Sequence, residues 1–274
     1  MSRTIAEKRA AFRALHASGC FVLPNPWDIG SAKYLAHLGF KALATTSSGF
    51  AWSIGHADNR VTRNAVLEHL RAIVDATDLP VNADFENGFG HTPQEVADSV
   101  QLAVQTGVAG LSIEDSTGDS SAPLLPINVA VSRLEAARRA IDETGGDTLL
   151  IGRAENFVAG VPDLGDTIAR LKAYSDAGAD CLYAPGIRTR DQIEAVVHAV
   201  APKPVNVLIG WSADDTLEEM AALGVRRVSV GGALARAAWG GFMRSAQALA
   251  AGRFDAFDEA APGAELNKLL GGQA

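Results

Sequence analysis

Two carboxylates, Asp84 and Glu86, stand two residues apart in the stretch VNADFENGFG, residues 81–90, after an apolar run and before a glycine-rich turn. Residues two apart on a strand share a face, so both side chains leave the strand's C-terminal end in the same direction. Neighbouring anions repel unless a cation or a proton lies between them. A hard, oxygen-seeking cation such as Mg²⁺ meets that need, whereas two solvated loop carboxylates are the plainer reading, and an isolated DxE does not choose between them. Further along, Glu114-Asp115 follows GLSI, and Arg153-Ala154-Glu155-Asn156 follows TLLIG. A ring of acids around one arginine, each at the end of an apolar run, is a pattern that one acidic pair is not.

The elements that must carry these residues alternate along the chain. Eight short β-type runs are expected at Cys20–Leu23, Ala42–Thr46, Val81–Ala83, Gly110–Ile113, Thr148–Gly152, Cys181–Ala184, Val205–Ile209 and Arg227–Val230. Helical periodicity is expected at the N-terminus and over Val61–Ala76, Pro93–Thr106, Val129–Glu143, Leu164–Ala177, Arg190–Val200, Ala213–Leu223 and Ala233–Ala250. Thr92-Pro93-Gln94-Glu95 combines an N-cap, a first-turn proline and a capping-box glutamate, and Thr189 with Gln192 repeats the device. Gly39, Gly107, Gly145, Gly178 and Gly224 close successive segments. Near-continuous aliphatic strands are buried on both faces, as parallel strands are, and eight with helical crossovers close into a (β/α)8 barrel. No GxGxxG follows the first strand and no GxxxxGK[ST] occurs, so an open nucleotide-binding sheet is the weaker choice. In a barrel the active groups gather at the C-terminal strand ends. Those ends carry Asn25-Pro26-Trp27-Asp28, Ser47-Ser48-Gly49-Phe50, Asp84 and Glu86, Glu114-Asp115, Arg153 and Glu155, Pro185-Gly186, Asn206 and Gly231-Gly232.

Composition narrows the partners. The 274 residues are 47% hydrophobic with a formal net charge of −8, which suits one large aliphatic core and not a nucleic-acid backbone. Residues 1–274 read as a single barrel domain whose last part, 233–274, is a helical extension. No apolar run approaches the ~18 residues of a membrane span, and the charged N-terminal helix lacks a signal-peptide core, so no membrane partner and a cytoplasmic location are expected. Cys20 and Cys181 fit reduced core positions better than a disulfide or zinc site.

NPWDIGSAK, TTSSGFA, LPVNADFENGFG, LSIEDS and IGRAENF, taken together, resemble the isocitrate lyase and phosphoenolpyruvate mutase superfamily along most of the chain. The resemblance implies a modified barrel whose C-terminal helix is exchanged between subunits of a homodimer or homotetramer. It implies a Mg²⁺, or Mn²⁺ in its place, held by Asp84 directly and by Glu86, Glu114 and Asp58 through waters, with a small 2-oxo or 2-hydroxy acid on the metal. Glu86 replaces the family's commoner Asp. Ser48, Gly49 and Phe50 match the segment that holds the substrate carboxylate, and Arg153 matches the arginine that grips its oxygens. Trp27 and Asp28 at the first strand end and Asn206 on the seventh complete the expected substrate contacts, although Trp27 suits core packing equally well. Glu155 is read as a catalytic companion that orients Arg153 or a water, with a barrel-mouth ion pair as the alternative.

The departures from the family are as informative. The lyase loop that supplies a cysteine acid is replaced here by STGDSSAPLLPIN, residues 116–128, which has no Cys, His, Lys or Arg. The Lys and Asn of the mutase loop are absent too. The metal platform without its specialised acid suits C–C cleavage through an enolate that the cation stabilises, since the departing CO₂ of an oxaloacetate-like acid requires no protein base and water can protonate the enolate. Retro-aldol cleavage of a malate- or isocitrate-like acid comes next. A phosphonopyruvate-type P–C mutase or hydrolase, and a non-catalytic oxo-acid binder, remain the alternatives.

Overall fold

The computed structural model describes residues 2–271. In its first half the elements are α1 (Ile5–Ala17), β1 (Phe21–Leu23), α2 (Ile29–His37), β2 (Leu43–Ala44), α3 (Ser47–Ser53), α4 (Arg63–Asp75), β3 (Val81–Asp84), α5 (Pro93–Gln105), β4 (Gly110–Glu114) and α6 (Ile127–Glu143). There follow β5 (Leu149–Arg153), α7 (Leu164–Asp176), β6 (Cys181–Tyr183), α8 (Arg190–Val200), β7 (Val205–Leu208), α9 (Leu217–Ala222), β8 (Arg227–Ser229), α10 (Ala233–Ala250) and α11 (Gly263–Leu270). Every strand pair is parallel, in the order β1-β8-β7-β6-β5-β4-β3-β2, which makes a nearly closed (β/α)8 barrel. At the seam between β1 and β2, Ala44 N donates to Pro24 O at 3.0 Å. The buried Asn25 side chain spans the same seam, donating to Thr45 O and accepting from Val230 N and Gly231 N, each at 2.9 Å.

Two apolar cores follow from the alternation of side chains along each strand. Phe21, Leu23, Ala42, Ala44, Leu149, Ile151 and Cys181 fill the barrel, and Phe12 of α1 enters it as a stopper. Leu70, Ile73, Val100, Leu111, Ile141, Leu150 and Leu182 lie between sheet and helices. Phe12 has no exposed surface, so its truncation to Ala would cost about 3–5 kcal/mol.

Local capping fixes where the helices begin. Thr92 with Glu95, Thr189 with Gln192 and Thr216 with Glu219 all close capping boxes, and Pro93 stands in the first turn of α5. The Thr216 box starts α9 at Leu217, so residues 213–215 lie outside the helix expected from Ala213. Thr62 similarly starts α4 at Arg63, two residues later than the periodicity suggested. Ser47-Ser48-Gly49-Phe50, read as a strand-end loop, is the body of α3, because Thr46 ends the strand by capping this helix.

Residues 233–250 form α10 as expected, whereas 254–261 are irregular and 272–274 lie outside the described residues. α10 buries only Ala235 and Ala248. Its Trp239, Met243 and Leu249 are exposed and Phe242 keeps 61% of its surface in solvent. Among the described residues no helix is long and apolar enough to cross a membrane, and both cysteines are free.

Candidate active site

Three neighbouring strands bring the acids and the arginine together. Asp84 ends β3, Glu114 ends β4 and Arg153 ends β5, with Glu114 and Arg153 in direct register. Arg153 Nη1 lies 3.1 Å from both Asp84 Oδ1 and Glu114 Oε2, while Nε donates to Glu155 Oε1. The Tyr183 ring lies 5.2 Å beneath the guanidinium. Burial alone would disfavour the charge on Arg153, but Glu155, Glu114 and Asp84 outweigh it and hold its pKa well above the usual value. Asp84 is itself fixed by its neighbours: Oδ2 accepts from Ser47 N at 3.0 Å, and its backbone N–H donates to Thr45 Oγ1 at 2.9 Å.

One guanidinium does not neutralise this many acids. Burial and then the charges of Asp84 and Asp58 push the Glu86 carboxyl up to about 8. Glu86 also occupies a left-handed backbone conformation, φ +46°, and its carbonyl accepts from Glu114 N at 3.0 Å, so the turn after β3 is locked to β4. Burial raises Glu114 and Glu155 as well, against the pull of Arg153. Asp58 sits on the exposed rim, where its carboxyl faces Ser47 and Asp84; loss of hydration there and the Asp84 charge raise its pKa.

A cavity of about 170 Å³ opens at this point. Asp84, Asp58, Arg153, Ser48 and Asn206 line it, together with Ser47 and Gly232. Glu86, Glu114 and Glu155 are not among its lining residues. Ser48 Oγ lies 3.2 Å from Thr46 Oγ1. Two glycines allow α3 to crowd the mouth: a Cβ on Gly49 would stand 2.7 Å from Thr46 Cγ2, and one on Gly232 would stand 2.7 Å from Ser48 Oγ. The other expected substrate contacts point elsewhere. Asp28 is exposed and caps α2, accepting from Ser31 N at 2.7 Å. Trp27 packs behind Gly49, and the Phe50 ring stacks on His69 at 3.8 Å.

Several polar residues of the site were not singled out from the sequence. Tyr183, Asn82, Ser112, Ser229 and Arg227 all line the cavity. Each lies within an apolar strand run, and a polar residue in such a run was the available signal. Asp115, beside Glu114, points to the opposite side of β4. There it accepts from Arg170 Nη1 at 3.0 Å and Tyr174 Oη at 2.5 Å, and its Oδ1 accepts from Glu155 N at 2.8 Å. It therefore holds the backbone that carries Glu155.

The donor set fits a hard divalent cation. Among the described residues no group of three such side chains makes a ready-made ligand cluster. Mg²⁺ does not require one, because it keeps several waters and takes one or two carboxylates directly. Asp84 with Asp58, Glu86 and Glu114 around it supplies oxygen donors and an excess of negative charge, which is what such an ion stabilises.

A family model described as phosphoenolpyruvate phosphomutase matches residues 12–250. The chain belongs to that family. This family member is 49% identical to a lyase/mutase candidate from Burkholderia cenocepacia J2315, with a TM-score of 0.94 and 98% of each chain covered. It is 31% identical over 228 residues to an oxaloacetate decarboxylase of Pseudomonas putida strain GB-1, covering 80% of this chain and 77% of the relative. A phosphonopyruvate hydrolase, solved with oxalate and Mg²⁺, matches at 28% identity and a TM-score of 0.83 over 96% of this chain and 95% of the other.

Proposed function

We propose that this family member is a Mg²⁺-dependent lyase that breaks a C–C bond in a small 2-oxo or 2-hydroxy dicarboxylic acid. Decarboxylation of an oxaloacetate-like acid is the first reading and retro-aldol cleavage of a malate- or isocitrate-like acid the second. The observation that carries it is the half-buried Arg153, gathered by Asp84, Glu114 and Glu155 on the wall of a cavity of about 170 Å³. Asp84 would hold the cation, with Asp58, Glu86 and Glu114 around it. When bound, the ion supplies Lewis-acid stabilisation of an enolate.

The chain's own residues do the positioning. Three acids fix the guanidinium before substrate arrives, so it meets developing negative charge without reorganising. Ser47 N and Thr45 Oγ1 orient Asp84, and Asp115 orients the Glu155 backbone. The loop after β4 offers no strong acid: Ser121 Oγ is exposed and donates to Asp119 Oδ1 at 2.7 Å. Loss of CO₂ suits such a loop, since water can protonate the enolate. The similarity to an oxaloacetate decarboxylase supports this reading, and the similarity to a phosphonopyruvate hydrolase keeps P–C cleavage as the alternative.

The test is a panel of oxaloacetate, malate and phosphonopyruvate, each with Mg²⁺ and with EDTA, monitored for CO₂, glyoxylate and phosphate. Release of CO₂ from oxaloacetate that EDTA abolishes is the expected result. Phosphate from phosphonopyruvate alone would replace this reading with the P–C one, and no release from any of the three would leave an oxo-acid binder.

A further inference from the structure

Arg227 opens β8 inside the barrel and is 2% exposed. Of the other arginines packed around the barrel, the buried Arg133 donates to Gly90 O, whereas the half-buried Arg153 and the buried Arg170 are each paired with acids. Arg227 is not. Its Nε donates to Asn206 Oδ1 at 3.0 Å, and its Nη1 lies 3.4 Å from Asn82 Oδ1 and 3.3 Å from His16 Nε2. His16 Nδ1 donates to Phe12 O at 2.8 Å, which leaves Nε2 as the acceptor toward Arg227. Burial and then the Arg227 charge press the His16 pKa down to about 3, so this histidine is neutral and brings no counter-charge. Among the described residues Nη2 makes no hydrogen bond, and the side chain borders the cavity.

An ion withdrawn from water without a partner of opposite sign is strongly disfavoured, and a buried guanidinium is stable where an anion joins it. The cavity gives an anion access. It runs from Arg153 and Asp84 at the mouth down to Arg227, and its lower wall is the polar set Asn82, Asn206 and Ser229. Asn206 is oriented for this by donating to Ser229 Oγ at 3.0 Å. Asn82 lies two residues before Asp84 on the same face of β3, so the two levels are about 6–7 Å apart along the strand. A four-carbon acid with a carboxylate at each end bridges that separation once hydrogen bonds of about 2.9 Å extend its reach.

We infer that Arg227 is the floor of an anion subsite that takes a carboxylate, namely one end of a four-carbon dicarboxylate whose other end lies beside Arg153. This rests on the oxo-acid reading of the mouth, and it deepens that reading by assigning the second carboxylate of the ligand to Arg227.

Calorimetric titration in the presence of Mg²⁺ tests it with malate and 2-hydroxybutyrate, four-carbon 2-hydroxy acids that differ by one carboxylate. Oxalate serves as a mouth-only probe and formate as a free carboxylate. The wild-type protein should bind malate about tenfold more tightly than 2-hydroxybutyrate, and Arg227→Gln should remove most of that ratio by weakening malate alone. A ratio near one, with formate binding that Arg227→Gln abolishes, would keep the subsite and identify its occupant as a free carboxylate. A ratio near one without such formate binding overturns the inference, as does equal weakening of both four-carbon acids by Arg227→Gln. If Arg227→Gln does not fold, the wild-type ratio and its retention in the charge-conserving Arg227→Lys decide instead. Failure of oxalate to bind would count against the oxo-acid reading alone, because the formate arm reports on Arg227 independently.

Discussion

Glu86 offers the sharpest test of the acidic mouth, because its charge is opposed by burial and by two neighbouring anions. In the metal-free protein its carboxyl is raised from 4.5 to about 8. The folded state then holds the proton more tightly than the unfolded chain does. Glu86 thus favours folding below about pH 4.5, and that contribution is lost as pH rises through 8. Between those limits linkage gives on the order of 5 kcal/mol, which relaxation and water entry should reduce to about 2 kcal/mol. Glu86→Gln keeps the shape and removes the ionisation. In EDTA the Tm of Glu86→Gln minus that of wild type should therefore grow by about 3–6 °C from pH 5.5 to pH 8.5, rising steadily up to about pH 8 and levelling off above it. Taking the difference cancels the other titrating groups. Adding Mg²⁺ at pH 8.5 should shrink it again, since a cation stabilises the ionised glutamate. A difference that stays flat with pH, read by differential scanning fluorimetry, would refute the crowding of Glu86 by Asp84 and Asp58.

The remaining predictions concern turnover and assembly. Arg153→Ala should lower kcat by about 10²–10³-fold, the worth of one fixed charge at a developing anion, whereas Ser120→Ala and Ser121→Ala in the exposed loop should change it by less than about threefold. The opposite ranking in steady-state assays would mean that a loop serine is the acid. The exposed Trp239, Phe242, Met243 and Leu249 of α10 exceed what one chain covers, so the protein should sediment as a dimer or tetramer at micromolar concentration, and Phe242→Glu should weaken that assembly. A wild-type monomer at that concentration would exclude the helix exchange proposed for this chain.

The sequence alone determined what depends on local rules. Aliphatic runs alternating with capped amphipathic segments required parallel strands and crossover helices, and the reciprocal caps at Thr92 and Thr189 set helix starts within the chain's own neighbourhood. Position at a strand's C-terminal end marked Asp84, Glu114 and Arg153 before any fold was known. Tertiary structure decided which side chains face one another, because that depends on closing eight strands and on which face of each strand turns inward. It put Arg153 against acids from two other strand ends, sent Asp115 to the opposite side of β4 from Glu114, and gave Asp28 to the cap of α2. It turned Ser47–Ser53 into a helix whose start Thr46 caps, a choice between strand and helix that two adjacent threonines leave open in sequence. Arg227 and Tyr183 look like ordinary strand residues in the chain, and only barrel closure, which brings Asn82, Asn206 and Ser229 from three strands around one cavity, makes them part of a site.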